Sequence, residues 1–373
     1  MKVTLDVVAL VAGVSLLVVT VLSVIKSTVL PRAAPSRVTF VTSRSTRALF
    51  QLRAKHARTY PERDRIMAML GPVSLLALLV VWVILVMTAY TLIYLAVTHG
   101  SLSDCIKLSG ASIFTLGTST DGRLGPSLVT YSEAALGLFI VALLITYLPS
   151  IYNAFSRREA GVSHLSVRAG TPPQATTMLI RYHRIEEPRY RLGELWREWE
   201  SWFIDIEESH TTFPILVFFR SPHKYRSWVT AAGALLDGAG FWAGCVEHPL
   251  DPDVQLCIRA GFLALRRIAD SFKIPYPPDP GPDDPITISR EEWEAAMDEM
   301  AEAGMPLIAD RDEAWMAWKG WRINYDTVLL RLARLVEAPL TPWESDRTPI
   351  VTVASPTPRA ARTPIGPGQW RRR

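Results

Sequence analysis

The sequence predicts an all-α membrane protein with a mostly α-helical domain attached on one side of the bilayer. Three observations carry this. The first 160 residues hold three charge-free apolar runs, Val7–Ile25, Val73–Val97 and Ala134–Phe155, and each has about the 20 residues that a bilayer needs at 1.5 Å per residue. None holds a Lys, Arg, Asp or Glu, any of which costs roughly 2.5–3.5 kcal/mol at mid-membrane. From Ser156 onward charge, Gly and Pro enter, and apolar residues recur at spacings of three and four, the pattern of amphipathic helices. With 373 residues the chain has room for two or three domains. A hydrophobic share of 49% and a mean hydropathy of +0.16 place it between a soluble protein and a pure membrane bundle.

The first run (residues 1–27) admits a second reading as a secretory signal peptide. Its long apolar core, and Asp6 where a basic segment belongs, favour an uncleaved span. Between Lys26 and Arg65 stand ten Lys or Arg against only Glu62 and Asp64. Such a stretch (28–67) resists translocation and predicts a cytoplasmic segment. The N-terminus is then expected outside, the second run crosses outward and the third returns. Arg157 and Arg158 follow the third run, which agrees with a cytoplasmic C-terminal part in the cell membrane.

Between the second and third runs lies SGASIFTLGTSTDG, Ser109–Gly122. The preceding DCIKLSGASIF can form a helix of about 16 Å, too short to span about 30 Å, with Ser101 or Ser103 as its cap. Non-helical backbone at membrane depth is tolerated where protein buries it or where it lines a watery path. A re-entrant pore loop is one reading, and an ordinary extracellular loop is the other.

Span, short helix, T-x-G, Asp, span resembles the pore module of the potassium-channel-like superfamily of tetrameric cation channels. Thr115, Leu116, Gly117, Thr118, Ser119, Thr120 and Asp121 stand where that family carries T-[VIL]-G-[YF]-G-D. The similarity extends to Glu133 and Gly137, matching the E-x-x-x-G start of the inner helix in many bacterial members. It covers Gly71 to about Phe155, roughly a quarter of the chain. It implies a module over 68–157, with a span at 71–98, pore helix and filter at 101–122 and inner helix at 132–155. It also implies a homotetramer passing a monovalent cation without a cofactor or metal.

The departures shape the expected activity. Filter carbonyls replace the hydration shell of the ion, and turning them inward needs left-handed backbone that glycine accepts. Gly117 keeps the first such position. Ser119 takes the second, at on the order of 1–2 kcal/mol per subunit, and Thr118 replaces the bracing aromatic. A short filter through Thr115, Leu116 and Gly117 is expected, with Asp121 concentrating cations at its mouth and weak selectivity between them. Gly137 reads either as a hinge or as a close-packing position. Glu133 reads either as support behind the filter or as a solvated loop carboxylate. Leu144, Tyr147, Leu148 and Pro149 are expected at the gate end, where Pro149 bends the helix.

In the basic segment Arg44, Arg47, Arg53, Lys55 and Arg58, interleaved with Leu49, Phe50 and Leu52, suit a helix along an anionic inner leaflet. The plainer reading is a topology signal. Residues 158–190 read as a linker, 191–338 as a cytoplasmic helical domain and 339–373 as a disordered Pro-rich basic tail. Within the domain Phe213–Arg220 reads as a buried strand. Asp251 caps a helix with Pro252 at its first position, Ser289 and Glu292 have capping-box spacing, and one long helix is expected from Arg311 to Glu337.

Val229–Val246 reads as a buried helix rather than a fourth span, because Asp237 and four glycines interrupt it. Eleven of the twelve tryptophans fall in this half. The two WxxWxxW triplets read as core packing, with a ligand cage as the alternative. Three cysteines without CxxC spacing and seven scattered histidines give no metal, disulfide or catalytic pattern, so no enzyme is expected. Nor is a nucleic-acid partner. A cytoplasmic regulator of unknown kind and a non-conducting membrane scaffold or sensor remain the open alternatives.

Overall fold

The computed structural model describes residues 2–28, 36–117, 123–185, 188–249 and 251–346. The chain is an all-α membrane protein, with three helices among the described residues long and apolar enough to cross a bilayer. Helix α1 (Lys2–Thr28) is the first of them. It is followed by α2 (Arg37–Ala54), α3 (Tyr60–Ala68) and α4 (Leu70–Thr98), the last two forming one candidate span. Three contacts set α1 antiparallel to α4: Asp6 beside His99 at 3.3 Å, Gly13 against the Ala89 carbonyl, and the Trp82 indole N–H donating to Ser23 Oγ at 3.1 Å. The first turn of α1 therefore lies at the same end as the loop that leaves α4.

Helix α5 (Leu102–Ile113) is short, and α6 (Leu124–Ala169) runs unbroken through Pro149. The inner helix expected over 132–155 is thus longer at both ends, and the linker expected over 158–190 is instead helical for much of its length. Ile151, Ala154, Arg158, Val162, Leu165 and Ala169 explain the extension: they form one buried stripe at helical spacing. Gly161 sits inside the helix because a Cβ there would collide with the Trp202 indole, whose N–H donates to the Arg158 carbonyl. Helix α7 (Ala175–Arg184) accounts for about half of the remaining stretch.

The rest of the domain comprises α8 (Pro188–Thr212), a 3-10 turn (Pro214–Phe218), α9 (Trp228–Cys245), α10 (Pro252–Ser271), α11 (Arg290–Glu302), α12 (Arg311–Arg322) and α13 (Asp326–Val336). The strand expected over Phe213–Arg220 is that 3-10 turn. Arg158 takes its carbonyls, donating to Leu216 O at 2.8 Å and Phe219 O at 2.7 Å, so no ladder partner is needed. The caps at Asp251 and Ser289 form as expected, the latter as a complete capping box.

The single helix expected over Arg311–Glu337 is broken between Arg322 and Asp326. The break brings two side chains onto one carboxylate. Arg322 donates to both oxygens of Asp237 at 2.8 and 2.7 Å, and Tyr325 OH donates to Asp237 Oδ1 at 2.8 Å. Asp237 lies at the centre of α9, which is buried everywhere except Ala243. Burial in apolar surroundings, offset in part by Arg322, raises the Asp237 carboxyl above its ordinary range. The core wrapped around α9 includes Trp196, Trp199, Trp293 and Trp318, all fully buried, and the tryptophan triplets belong to it.

The basic segment joins this domain to the spans. Arg63 Nε donates to Glu337 Oε2 at 2.8 Å, and Arg220 pairs with Asp64 at 2.6 Å. Both carboxylates are largely shielded from water.

Candidate ion pathway

Ser101 starts α5 by accepting from the Asp104 backbone N–H. The other end closes with Thr115 in the left-handed region at φ 54° and the Leu116 N–H reaching back to Ala111 O at 2.8 Å, a Schellman-type termination. Gly117 follows at φ 87°. Thr115, Leu116 and Gly117 are exposed, Leu116 to 76%. Thr118, Ser119, Thr120 and Asp121 lie outside the described residues.

Glu133 is fully buried, which removes the solvated-loop reading. Ser109 Oγ donates to its Oε1 at 2.5 Å and Tyr94 OH to its Oε2 at 3.0 Å. Tyr94 also meets Ser112 Oγ at 3.2 Å and Thr130 Oγ1 at 3.3 Å. One carboxylate thus joins α4, α5 and α6 through hydroxyls, in surroundings where an unpaired polar group costs several kcal/mol. One turn further along α6, a Cβ on Gly137 would lie 2.5 Å from Ile113 O. Gly137 is therefore where the last turn of α5 rests on α6.

The gate-end residues do not share one face. Tyr147 turns towards the domain, its ring edge-on to Phe213 at 5.3 Å. Leu144 is half-buried, while Leu148 and Pro149 are exposed. Leu148 instead joins Leu138, Val141, Ile145 and Tyr152 in an exposed stripe at spacings of three and four. Sequence reasoning missed this stripe, although its heptad-like spacing is legible in the third apolar run. It also missed Tyr94, Ser109, Ser112 and Thr130, whose signal was hydroxyls at helical spacing within or beside apolar runs.

At the other end of α6, Arg158 is fully buried. Besides the two carbonyls it meets Glu159 at 2.7 Å and His210 Nε2 at 3.2 Å. His210 Nδ1 lies 2.9 Å from Ile206 O, so the proton sits on Nδ1 and Nε2 accepts from Arg158. Burial first, then the Arg158 charge, lowers the His210 pKa well below its ordinary value.

The three cysteines are free and buried. Of the basic residues, Arg44, Arg53, Lys55 and Arg58 are exposed. Arg47 points the other way: it donates to Leu335 O at 2.7 Å and lies over the Phe218 ring. As a lipid contact Arg47 is thereby corrected, because its guanidinium serves the helical domain.

No protein-family model matches the chain, and no solved structure matches it. Over 242 residues, 60% of this chain and 68% of the relative, it is 26% identical to the uncharacterized membrane protein YdjJ of Bacillus subtilis (strain 168). What the chain is seen to share with that relative is the character of a membrane protein.

Proposed function

We propose that the chain forms a homotetrameric pore-loop cation channel in the cell membrane, with a short, weakly selective filter at Thr115–Asp121 and the helical domain as its assembly or gating module. The observation that carries the reading is α5. A 12-residue helix, too short to span, is held between two spans by a buried carboxylate and ends on an exposed turn. The carbonyl end of a helix carries roughly half a negative charge. Four such ends aimed at one axis would draw monovalent cations to one point, as the K-channel-like resemblance implies. The stripe from Leu138 to Tyr152 offers a charge-free seam along which the copies meet. The basic segment and Arg157 lie at the end of the spans opposite α5, which supports the N-terminus outside and the domain in the cytoplasm.

Thr115 uses its left-handed conformation to close α5. That favours fewer ion-coordinating carbonyls, and it keeps a non-conducting scaffold or sensor as the second reading. Ion flux into liposomes in potassium, sodium and N-methyl-glucamine tests both. The channel reading expects comparable potassium and sodium flux, exclusion of the large cation, and a change on Thr115→Ala or Asp121→Asn. Absence of flux at every voltage and pH would favour the scaffold, and strong potassium selectivity would overturn the short filter.

A further inference from the structure

The basic helix α2 has two faces, and they point to different partners. Its inward face is fixed to protein. Val38 packs with Val24, Leu78 and Trp82 near its start, and Phe50 and Ala54 pack with Met67 and Leu70 near its end. It therefore runs along the lower end of α4, the end away from α5. At this level the charge-free run of α1 finishes, because Ser23 meets Trp82 there. Arg47 and Gln51 extend the inward face onto Leu335 and Glu337, at the end of α13.

The outward face combines two properties that water alone does not explain. Val41, Leu49 and Leu52 are 59%, 66% and 55% exposed, spaced along one side of the helix. Arg44, Arg53 and Lys55 flank them, exposed and without an ion-pair partner among the described residues. No Asp or Glu occurs between Asp6 and Glu62, so nothing within the segment neutralises this face. Apolar side chains bordered by cations suit the boundary between acyl chains and headgroups, and the headgroup layers occupy the outer part of a bilayer about 40–45 Å thick.

We propose that the outward face of α2 is a docking surface for anionic phospholipid headgroups, while its inward face fastens the same helix to the end of α13. The helix thus ties the lipid surface to the helical domain, whether or not the chain conducts ions. Charge complementarity selects the occupant: a zwitterionic surface would satisfy the leucines and valine but leave three cations without counter-charge.

The test uses the full chain reconstituted in vesicles. Because Cys105, Cys245 and Cys257 are buried, a Ser45→Cys variant takes a fluorescent label selectively at an exposed position of α2. Quenching is then measured with brominated phosphatidylglycerol, brominated phosphatidylcholine and aqueous iodide. The expected result is quenching from the lipid side with a preference for phosphatidylglycerol. Each charge removed in Arg44→Gln, Arg53→Gln and Lys55→Gln should lower that preference roughly five-fold, and the corresponding Lys replacements of the two arginines should keep it. Raising salt should erode the preference in the otherwise unaltered chain, which covers the case of a variant that fails to fold. Equal quenching by both lipids would overturn the anionic selectivity. Quenching by iodide alone, or label-to-label self-quenching insensitive to lipid, would overturn the surface altogether, the latter in favour of a contact between copies.

Discussion

Replacing Glu133 by Ala should release α5 from its seat. The substitution deletes the acceptors of Ser109 Oγ and Tyr94 OH and leaves a small cavity between three helices. Neither hydroxyl is orphaned, because Ser109 still reaches Met87 O at 3.2 Å and Tyr94 still meets Ser112 and Thr130. The cost is therefore two net hydrogen bonds at about 1 kcal/mol each, plus about 1–2 kcal/mol for the void, giving about 3–4 kcal/mol. Glu133→Gln behaves differently. Its amide oxygen accepts from one hydroxyl and its NH2 donates to the other, so the expected loss is below about 1 kcal/mol. Hydrogen exchange reads the difference locally: protection of the α5 amides should fall on the order of 100-fold or more in Glu133→Ala and only a few-fold in Glu133→Gln. Equal loss in the two variants would refute the reasoning. So would a loss in Glu133→Ala shared equally by α9, since that would report general unfolding rather than release of one helix.

Gly137→Ala should force α5 away from α6 at about 1–3 kcal/mol, whereas Gly125→Ala, with nothing within 4 Å of its added methyl, should be nearly neutral; exchange in α5 distinguishes them. Arg322→Met should destabilise the helical domain by about 3–5 kcal/mol by leaving Asp237 buried without its cation, and adding Asp237→Asn should recover part of the loss in a denaturant titration of the detergent-solubilised chain. His210 is held neutral when folded, so unfolding takes up a proton below its unfolded pKa of about 6.5 and stability falls as pH drops through that value. The melting temperature should decline from pH 7 to pH 5, and the decline should be shallower in His210→Gln. An unchanged slope would mean that other groups set the acid response.

Much of the fold was legible because it rests on local signals. Charge-free runs mark the spans, and the caps at Ser101, Asp251 and Ser289 mark helix starts. The errors came where a distant residue overrides local preference. The charged, Gly-containing stretch after Ser156 reads as a linker until Trp202 is seen to fill the space that Gly161 leaves. Phe213–Arg220 reads as a strand until Arg158 takes its carbonyls, and the break before Asp326 follows from Asp237, far away in sequence. At the candidate site, Glu133 and Gly137 were found through the resemblance to the E-x-x-x-G start of a channel inner helix. Their partners were not, since a hydroxyl in an apolar run gives no sign of which carboxylate it will meet. Arg47 resembles its basic neighbours in sequence, and only packing separates it from them.

Helix α6 holds the seat of α5 at Glu133 and the clasp on the 3-10 turn at Arg158, roughly 37 Å apart along one axis. Phe219 of the clasped segment also presses on Gly71 at the foot of α4. The two attachments are therefore joined by one uninterrupted helix that packs on α4 at several levels. A displacement of the clasped segment would reach the seat of α5 through the rigid helix itself, with no chain of side-chain rearrangements needed between the two.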